Sequence, residues 1–158
     1  MFTRIRRRAL TLAFATGLLT AQVVTMGASP AAAAPQDCER GANGFVDIPD
    51  TLRGAQAPVA PVSIFGRTAT LYVGSVRGVT RGWAHLGGDT LWGDSVWMDW
   101  TQNGGRTWLQ CGPFEVSSGG QTKTSAAQRA SSDANWQFRA CLRWGRHDPP
   151  HVRCTAWW

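Results

Sequence analysis

The stretch WMDWTQNGGRTWLQC, residues 97–111, decides the fold. Apolar and polar side chains alternate along residues 95–101, and a second strand-like segment, residues 106–112, follows an Asn-Gly-Gly turn. Alternation with a period of two is typical of β-strands, and an Asn-Gly turn between two such segments favours a hairpin. The stretch therefore predicts an antiparallel β-hairpin whose second strand carries Cys111.

The turn of this hairpin matches the Asp-box pattern, Ser/Thr-x-Asp/Asn-x-Gly-x-Thr-Trp, at every position. The Asn103 side chain can hydrogen-bond backbone amides further along the turn, and Gly105 can adopt the positive φ that such a turn needs. The hydroxyls of Thr101 and Thr107 face each other across the turn, and Trp108 is expected to fold down over the hairpin base. Because Asp-box turns occur in propellers, ribonucleases and sandwich modules alike, we interpret the motif as structural.

From residue 61 onward the chain is a succession of short strand-like segments broken by Gly-rich turns. No window keeps apolar residues at the spacing of a helix for long enough to form one. Strands spaced by about 8–12 residues predict an all-β protein, an antiparallel β-sandwich of the immunoglobulin or fibronectin kind or a related barrel. We find no internal repeat, which argues against a propeller or a solenoid.

Residues 1–33 have the order of a secretory signal peptide: an arginine-rich start, an apolar run and then small residues. The apolar run is too short and too interrupted for a stable transmembrane helix. We expect cleavage after Ala33 by the general secretory route, so the mature protein is secreted and leaves the membrane. Residues 34–58, rich in Gly, Pro, Ala and Asp, are expected to form an extended N-terminal arm, and residues 59–158 the sandwich domain.

The charge of the mature chain is close to balanced. Four of the 16 basic residues lie in the signal peptide, which leaves 12 basic residues against 10 acidic ones. Phosphate binding needs clustered lysine and arginine, whereas the arginines here are scattered and Lys123 is the only lysine. We therefore expect no nucleic-acid partner. The mature length suits a single domain with one core, and we expect a monomer.

Four cysteines allow three disulfide pairings. Export permits disulfides, and the absence of a Cys-x-x-Cys pair argues against a zinc site. We favour Cys141 with Cys154, because each lies in a strand-like segment and a short loop separates them. Cys38 would then join the mature N-terminus to Cys111.

All nine tryptophans follow residue 82, and a small core cannot comfortably bury them all. Strand alternation places Trp100 on one face of the first hairpin strand and Trp97 and Asp99 on the other, so at least one of these two tryptophans should be exposed or covered by the arm. Exposed aromatic rings beside polar side chains commonly hold sugars. The alternative is a large tryptophan-filled core with the remaining rings flat on the surface. The candidate ligand-binding residues are Trp92, Trp97, Asp99, Trp100, Arg106 and Trp144.

Catalytic groups are scarce. The stretch HDPPH, residues 147–151, invites a metal hypothesis, but its two prolines make it stiff and a solvated hairpin tip is the preferred interpretation. Glu115 with His85 or His147 would imitate an acid–base ribonuclease site, although no local motif supports that pairing. We expect no catalytic residue, no bound metal and no cofactor.

Several motifs resemble a group of small secreted proteins from filamentous high-GC Gram-positive bacteria: CERGANGFVDI, RGWAHLGG, GDSVWMDWTQNGGRTWLQCGPF, TKTSAAQR, FRACLR and VRCTAWW. The likeness covers nearly the whole mature chain. More distantly, GDSVWMDWTQNGGRTW followed by RAC and CTAWW is similar to an accessory module of secreted α-mannanase-type glycosidases. In those modules an acid usually fills position 103 and a small or basic residue position 100. The resemblance implies secretion, an all-β module and the cysteine pairs, and it supplies no active site.

These observations favour a secreted, non-enzymatic binding module for glycans or cell-wall polysaccharide. Four of the candidate tryptophans would stack on the ligand, with Asp99 and Arg106 as hydrogen-bonding partners. The alternative is an inhibitor of extracellular proteases or hydrolases, because a disulfide-closed domain with stiff loops such as residues 145–153 suits that role. A secreted ribonuclease is the enzymatic alternative. The expected partner is thus a polysaccharide or an extracellular protein.

Overall fold

The computed structural model describes residues 34–145 and 151–158. The predicted signal peptide, residues 1–33, and most of the HDPPH stretch lie outside the described residues. Within the described residues the protein is all-β, with two short 3-10 turns at Pro35–Asp37 and Ala42–Gly44. No helix in this part of the chain has the length and apolar character that crossing a membrane requires.

Ten strands form the described part of the fold, and most coincide with the segments that alternate in the sequence. The chain runs through β1 (Ala55–Gln56), β2 (Val62–Ile64), β3 (Arg67–Val76), β4 (Val79–Gly88), β5 (Ser95–Thr101), β6 (Leu109–Glu115), β7 (Lys123–Thr124), β8 (Gln128–Arg129), β9 (Gln137–Trp144) and β10 (His151–Cys154).

The strands form two antiparallel sheets. In the first sheet the order is β1, β3, β4 and β7, with β2 also paired to β3 and β8 to β4. In the second sheet the order is β10, β9, β5 and β6. Strands β5 and β9 of the second sheet pack across β3 and β4 of the first. This arrangement confirms the predicted antiparallel sandwich.

The core lies between the two sheets and follows the pairing register. Leu71 is paired with Ala84 in the first sheet, and Val96 with Leu142 in the second, and all four are buried. Directly paired residues point to the same face of a sheet, and successive residues along a strand alternate between its two faces. Since Val96 and Leu142 point into the core, their neighbours along β5 and β9 point outward. Trp97 and Asp99 therefore lie on the outer face of the second sheet, as the alternation predicts.

Residues 34–58 lie on the sandwich and supply part of it. Strand β1 pairs with β3, and Val46 forms an isolated bridge to Ala127. Phe45 is fully buried, and its ring meets the ring of Trp100 edge-on at 5.7 Å between centroids. The arm thus covers one edge of the core.

Both favoured disulfides are confirmed. Cys38 and Cys111 are fully buried and join the arm to β6. Cys141 and Cys154 are directly opposite each other on β9 and β10, with their Cα atoms 4.0 Å apart. Two disulfides fit an oxidising compartment, and each one typically stabilises a fold by about 2–4 kcal/mol.

The β5–β6 hairpin contains a register shift between Val96 and Met98. The facing strand carries Gly112 at φ 124°, where a Cβ atom would lie 2.8 Å from the Cβ of Trp97. A glycine is needed here for both reasons, the positive φ and the close approach. The bulge leaves room for the Trp97 side chain on the outer face of the sheet.

Candidate ligand-binding surfaces

The candidate side chains lie at two opposite ends of the sandwich. Strand β5 joins these ends and, with seven residues, is roughly 20 Å long. We call the end at Thr101 the hairpin end; it comprises residues 102–110, 131–139 and 155–158. We call the other end, at Ser95, the Asp94 end; it comprises residues 63–67, 88–94 and 143–145.

A dense set of hydrogen bonds fixes the turn at the hairpin end. The Thr101 hydroxyl donates to the Thr107 carbonyl at 2.6 Å and accepts the backbone N–H of Gly105 at 3.0 Å. The Asn103 side chain accepts the Thr107 N–H at 2.9 Å and donates to the Thr107 hydroxyl at 2.7 Å. Gly105 has φ 84°, as the turn requires. The turn therefore presents the side chains that follow it in one orientation.

Trp108 does not fold down over the hairpin base as the sequence suggests; it is 50% exposed. The Arg139 guanidinium carbon lies 4.8 Å from the centre of the Trp108 ring and 4.5 Å from that of Trp157. The two indoles meet at 6.1 Å in an edge-on arrangement. Cation–π contacts of this kind hold all three side chains together on the outer face of the second sheet. We call Trp108, Arg139 and Trp157 the platform.

Asp99 lies beneath the platform and is 2% exposed. It is paired across the sheet with Arg139 on β9, and the Arg139 Nε donates to Asp99 Oδ2 at 2.7 Å. Burial raises the pKa of Asp99 above its ordinary value, while the hydrogen bond and the charge of Arg139 act in the opposite direction. The proposed role of Asp99 as a direct ligand partner is therefore corrected: its carboxylate orients Arg139.

The proposed stacking role of Trp97 and Trp100 is also wrong, since each is only 8% exposed. Trp100 packs in the core between Phe45 and Trp136, whose ring centre is 4.8 Å away. All seven residues of β5 are buried, because this strand has neighbours on both sides and both of its faces are covered. The alternation correctly separated the two faces, and Phe45 of the arm covers Trp100, which is one of the two outcomes that the sequence allowed.

Asp94 organises the opposite end. It is fully buried, and its Oδ2 accepts the Arg67 Nε at 2.9 Å and the Leu91 N–H at 2.7 Å. Its Oδ1 accepts the N–H of Gly145 at 2.8 Å. One carboxylate thus fastens the β2–β3 turn, the β4–β5 loop and the end of β9 to one another.

Large apolar side chains project from the segments that Asp94 fastens. Phe65 is 66% exposed, Leu91 55% and Trp92 60%. Trp144 is half-buried, and its ring centre is 4.5 Å from that of Phe65. Of the sequence candidates, Trp92 and Trp144 therefore lie at the Asp94 end, whereas Arg106 lies exposed on the hairpin turn.

Within the described residues, Glu115 and His85 do not form the ribonuclease-like pairing. His85 is 4% exposed, on the outer face of the first sheet, whereas Glu115 belongs to the second sheet, opposite Ser95. Burial and, to a smaller extent, Arg53 lower the pKa of His85 to about 4, against a raising effect of Asp50. His147 lies outside the described residues.

Within the described residues one group has metal-ligand spacing: Asp99, Cys141 and Cys154, whose ligand atoms all lie within 4.8 Å of one another. The two sulfur atoms are joined in a disulfide and so are not thiolate ligands. This group gives no support to a metal centre.

Sequence reasoning missed three side chains that the structure brings forward: Phe65, Arg139 and Trp157. Alternation along residues 137–144 places Arg139 outward, which was a usable signal. Its position over Asp99 follows only from the β5–β9 register. Trp157 lacks a comparable local signal, because its place beside Arg139 depends on how the chain returns after β10.

The fold and these surfaces define a disulfide-closed β-sandwich that carries fixed aromatic side chains at both ends. Comparisons of the chain with protein-family models, with curated proteins and with solved structures found no match. Its function is therefore argued from the surfaces themselves.

Proposed function

We propose that the protein is a secreted, non-enzymatic module that binds glycans on the platform of the hairpin end. The observation that carries this proposal is the half-exposed Trp108 indole, held in place by Arg139 and Trp157. The signal-peptide pattern of residues 1–33 and the two disulfides support secretion.

The platform has the chemistry that a sugar ring needs. The exposed face of Trp108 is flat and apolar and can stack on the C–H face of a pyranose. Polar groups surround it: Arg139 is partly exposed, Arg106 lies two residues earlier, and Gln110 is opposite Asp99 on β6. Since Arg139 already fixes the indole, binding costs little side-chain entropy.

Two further features support this proposal. The hydrogen bonds of the turn that precedes Trp108 fix the backbone that leads into this residue. The resemblance to an accessory module of α-mannanase-type enzymes makes mannan the first polysaccharide to test.

The test is a tryptophan-fluorescence titration with mannan, chitin and peptidoglycan fragments. Trp108→Ala should lower the affinity for the bound glycan about tenfold or more. Trp92→Ala is the matched control, because Trp92 is equally exposed at the opposite end and its loss should leave the affinity unchanged. The proposal fails if no glycan binds, or if Trp108→Ala binds as tightly as the wild type.

The Asp94 end favours a second candidate function, inhibition of an extracellular protease or hydrolase. Phe65, Leu91 and Trp92 project from segments that a buried ion pair makes rigid, and a rigid apolar loop cluster suits the cleft of an enzyme. Incubation with a panel of secreted hydrolases would show stoichiometric loss of activity. That loss should disappear in Trp92→Ala and persist in Trp108→Ala, which is the reverse of the glycan result.

A further inference from the structure

A cleft lies at the hairpin end. It is on the opposite side of the last segment of the chain, residues 155–158, from the platform. Its volume is about 270 Å³. Two tryptophans, Trp136 and Trp158, line it together with the polar side chains of Ser131, Ser132, Asp133 and Gln137. Like the platform, the cleft combines aromatic rings with polar groups, here hydroxyl, carboxylate and amide groups that can hydrogen-bond sugar hydroxyls.

The two aromatic walls are held in place. The Trp136 indole N–H donates to the Arg129 carbonyl at 2.9 Å, and its ring packs on Trp100. The backbone of Trp158 exchanges hydrogen bonds of 2.9 and 2.7 Å with Phe138, and the two rings lie 6.1 Å apart. Trp100, buried and unable to touch a ligand, thus supports a ring that borders the cleft.

The cleft and the platform share one strand-like segment. Trp158 is paired with Phe138, which faces the core, while Trp157 lies against Arg139 on the outer face. Consecutive residues of an extended chain point to opposite sides, with Cα atoms about 3.8 Å apart. The two sites therefore lie on opposite sides of the same segment, residues 155–158.

We infer that the cleft is a second sugar subsite for a neutral sugar unit and that the ligand is an oligosaccharide chain spanning both sites. This inference rests on the proposed function. One sugar unit stacks on Trp108, and a further unit of the same chain occupies the cleft between Trp136 and Trp158. Asp133 and the two serines accept and donate hydrogen bonds to sugar hydroxyls, and the Asp133 carboxylate repels an anionic sugar.

Oligosaccharides of increasing length test the inference by calorimetric titration. The probes are the mannose and N-acetylglucosamine series from monosaccharide to hexasaccharide, with the galacturonic acid series as the anionic comparison. Ser132→Tyr places a bulky ring in the cleft at an exposed position and spares the core. Ser118→Tyr, the same change at an exposed serine near the Asp94 end, is the matched control.

In the wild type and in Ser118→Tyr, affinity should rise about tenfold or more with chain length. Ser132→Tyr should keep the affinity for the shortest ligand and lose that rise, whereas Trp108→Ala should lower the affinity about tenfold or more at every length. An undiminished rise in Ser132→Tyr would overturn the second subsite while leaving the platform intact. Equal binding of the galacturonic acid series would overturn the neutral sugar unit in the cleft, and absence of binding by any probe would refute the proposed function together with this inference.

Discussion

The two ends of the sandwich are each organised by a buried aspartate that pairs with an arginine, yet the two pairs differ in what the arginine reaches. The Arg67 side chain is 9% exposed and lies in the interior with Asp94. The Arg139 side chain is 24% exposed, and beyond Asp99 it touches two indoles at the surface. The first pair holds loops together, whereas the second holds a potential ligand surface. The same kind of ion pair is thus sealed at the Asp94 end and partly open at the hairpin end.

The largest effect is expected from Asp94→Ala, which should lower the free energy of unfolding. Asp94→Ala leaves the Arg67 charge buried without its partner and removes the acceptor of two backbone N–H groups. Breaking a buried pair in this way costs about 3–5 kcal/mol. Urea unfolding should show the loss as a lower midpoint with an unchanged slope. A loss below about 1 kcal/mol would mean that Asp94 does not fasten this end.

Acid tests whether the two ends unfold together. The pKa of His85 is lowered to about 4 in the folded protein, so the unfolded chain binds the proton more readily. The contribution of neutral His85 to the free energy of unfolding is complete above a pH of about 6.5. As the pH falls towards about 4, the free energy of unfolding decreases by about 2–3 kcal/mol. The urea midpoint of the wild type should therefore fall as the pH is lowered from about 6.5 to about 4.

His85→Gln is the control for this acid effect, because a side chain that stays neutral removes the His85 contribution to the dependence of the urea midpoint on pH. Tryptophan fluorescence is weighted towards the hairpin end, which holds four of the tryptophans against two at the Asp94 end, whereas far-UV circular dichroism reports on the strands of both sheets. Both should show the same midpoint at each pH if the sandwich is one cooperative unit. Two separate transitions would show that the ends are independent in stability as well as in composition.

Asp99→Asn tests the ion pair at the hairpin end. The substitution is nearly isosteric and removes the charge that orients Arg139, while the guanidinium can still reach water. The stability loss should be smaller than at Asp94, about 1–3 kcal/mol. Glycan affinity should fall with it, because Arg139 no longer fixes Trp108. A variant that is destabilised but binds normally would make this pair purely structural, like the one at Asp94.

The contrast also shows which features could be predicted from the sequence. The hairpin turn depends on residues within one short segment, and the favoured disulfides follow from strand-like segments and their separation, so the cysteine pairs could be predicted without a structure. The platform unites Trp108 at the end of the hairpin turn, Arg139 on β9 and Trp157 in the last segment of the chain. Its assembly depends on register and on the path after β10, which alternation cannot specify. For the same reason the sequence left open whether Trp97 and Trp100 are exposed or covered.

The smallest effect concerns Phe65, which adopts φ 43° in a two-residue turn before Gly66. Arg77 holds the equivalent place before Gly78, at φ 55°, and is an internal control. Asn tolerates this left-handed region better than either residue, and Asn-Gly suits such a hairpin turn, so Arg77→Asn should stabilise the protein by about 0.5–1 kcal/mol.

Phe65→Asn should gain less than Arg77→Asn in the same thermal unfolding experiment, because it also removes the ring contact with Trp144. Under the inhibitor proposal the exposed Phe65 ring contacts the target enzyme. Phe65→Asn should therefore weaken inhibition of a target hydrolase, if one is found, and leave glycan affinity unchanged. If it weakens glycan affinity instead, the two ends do not have separate roles.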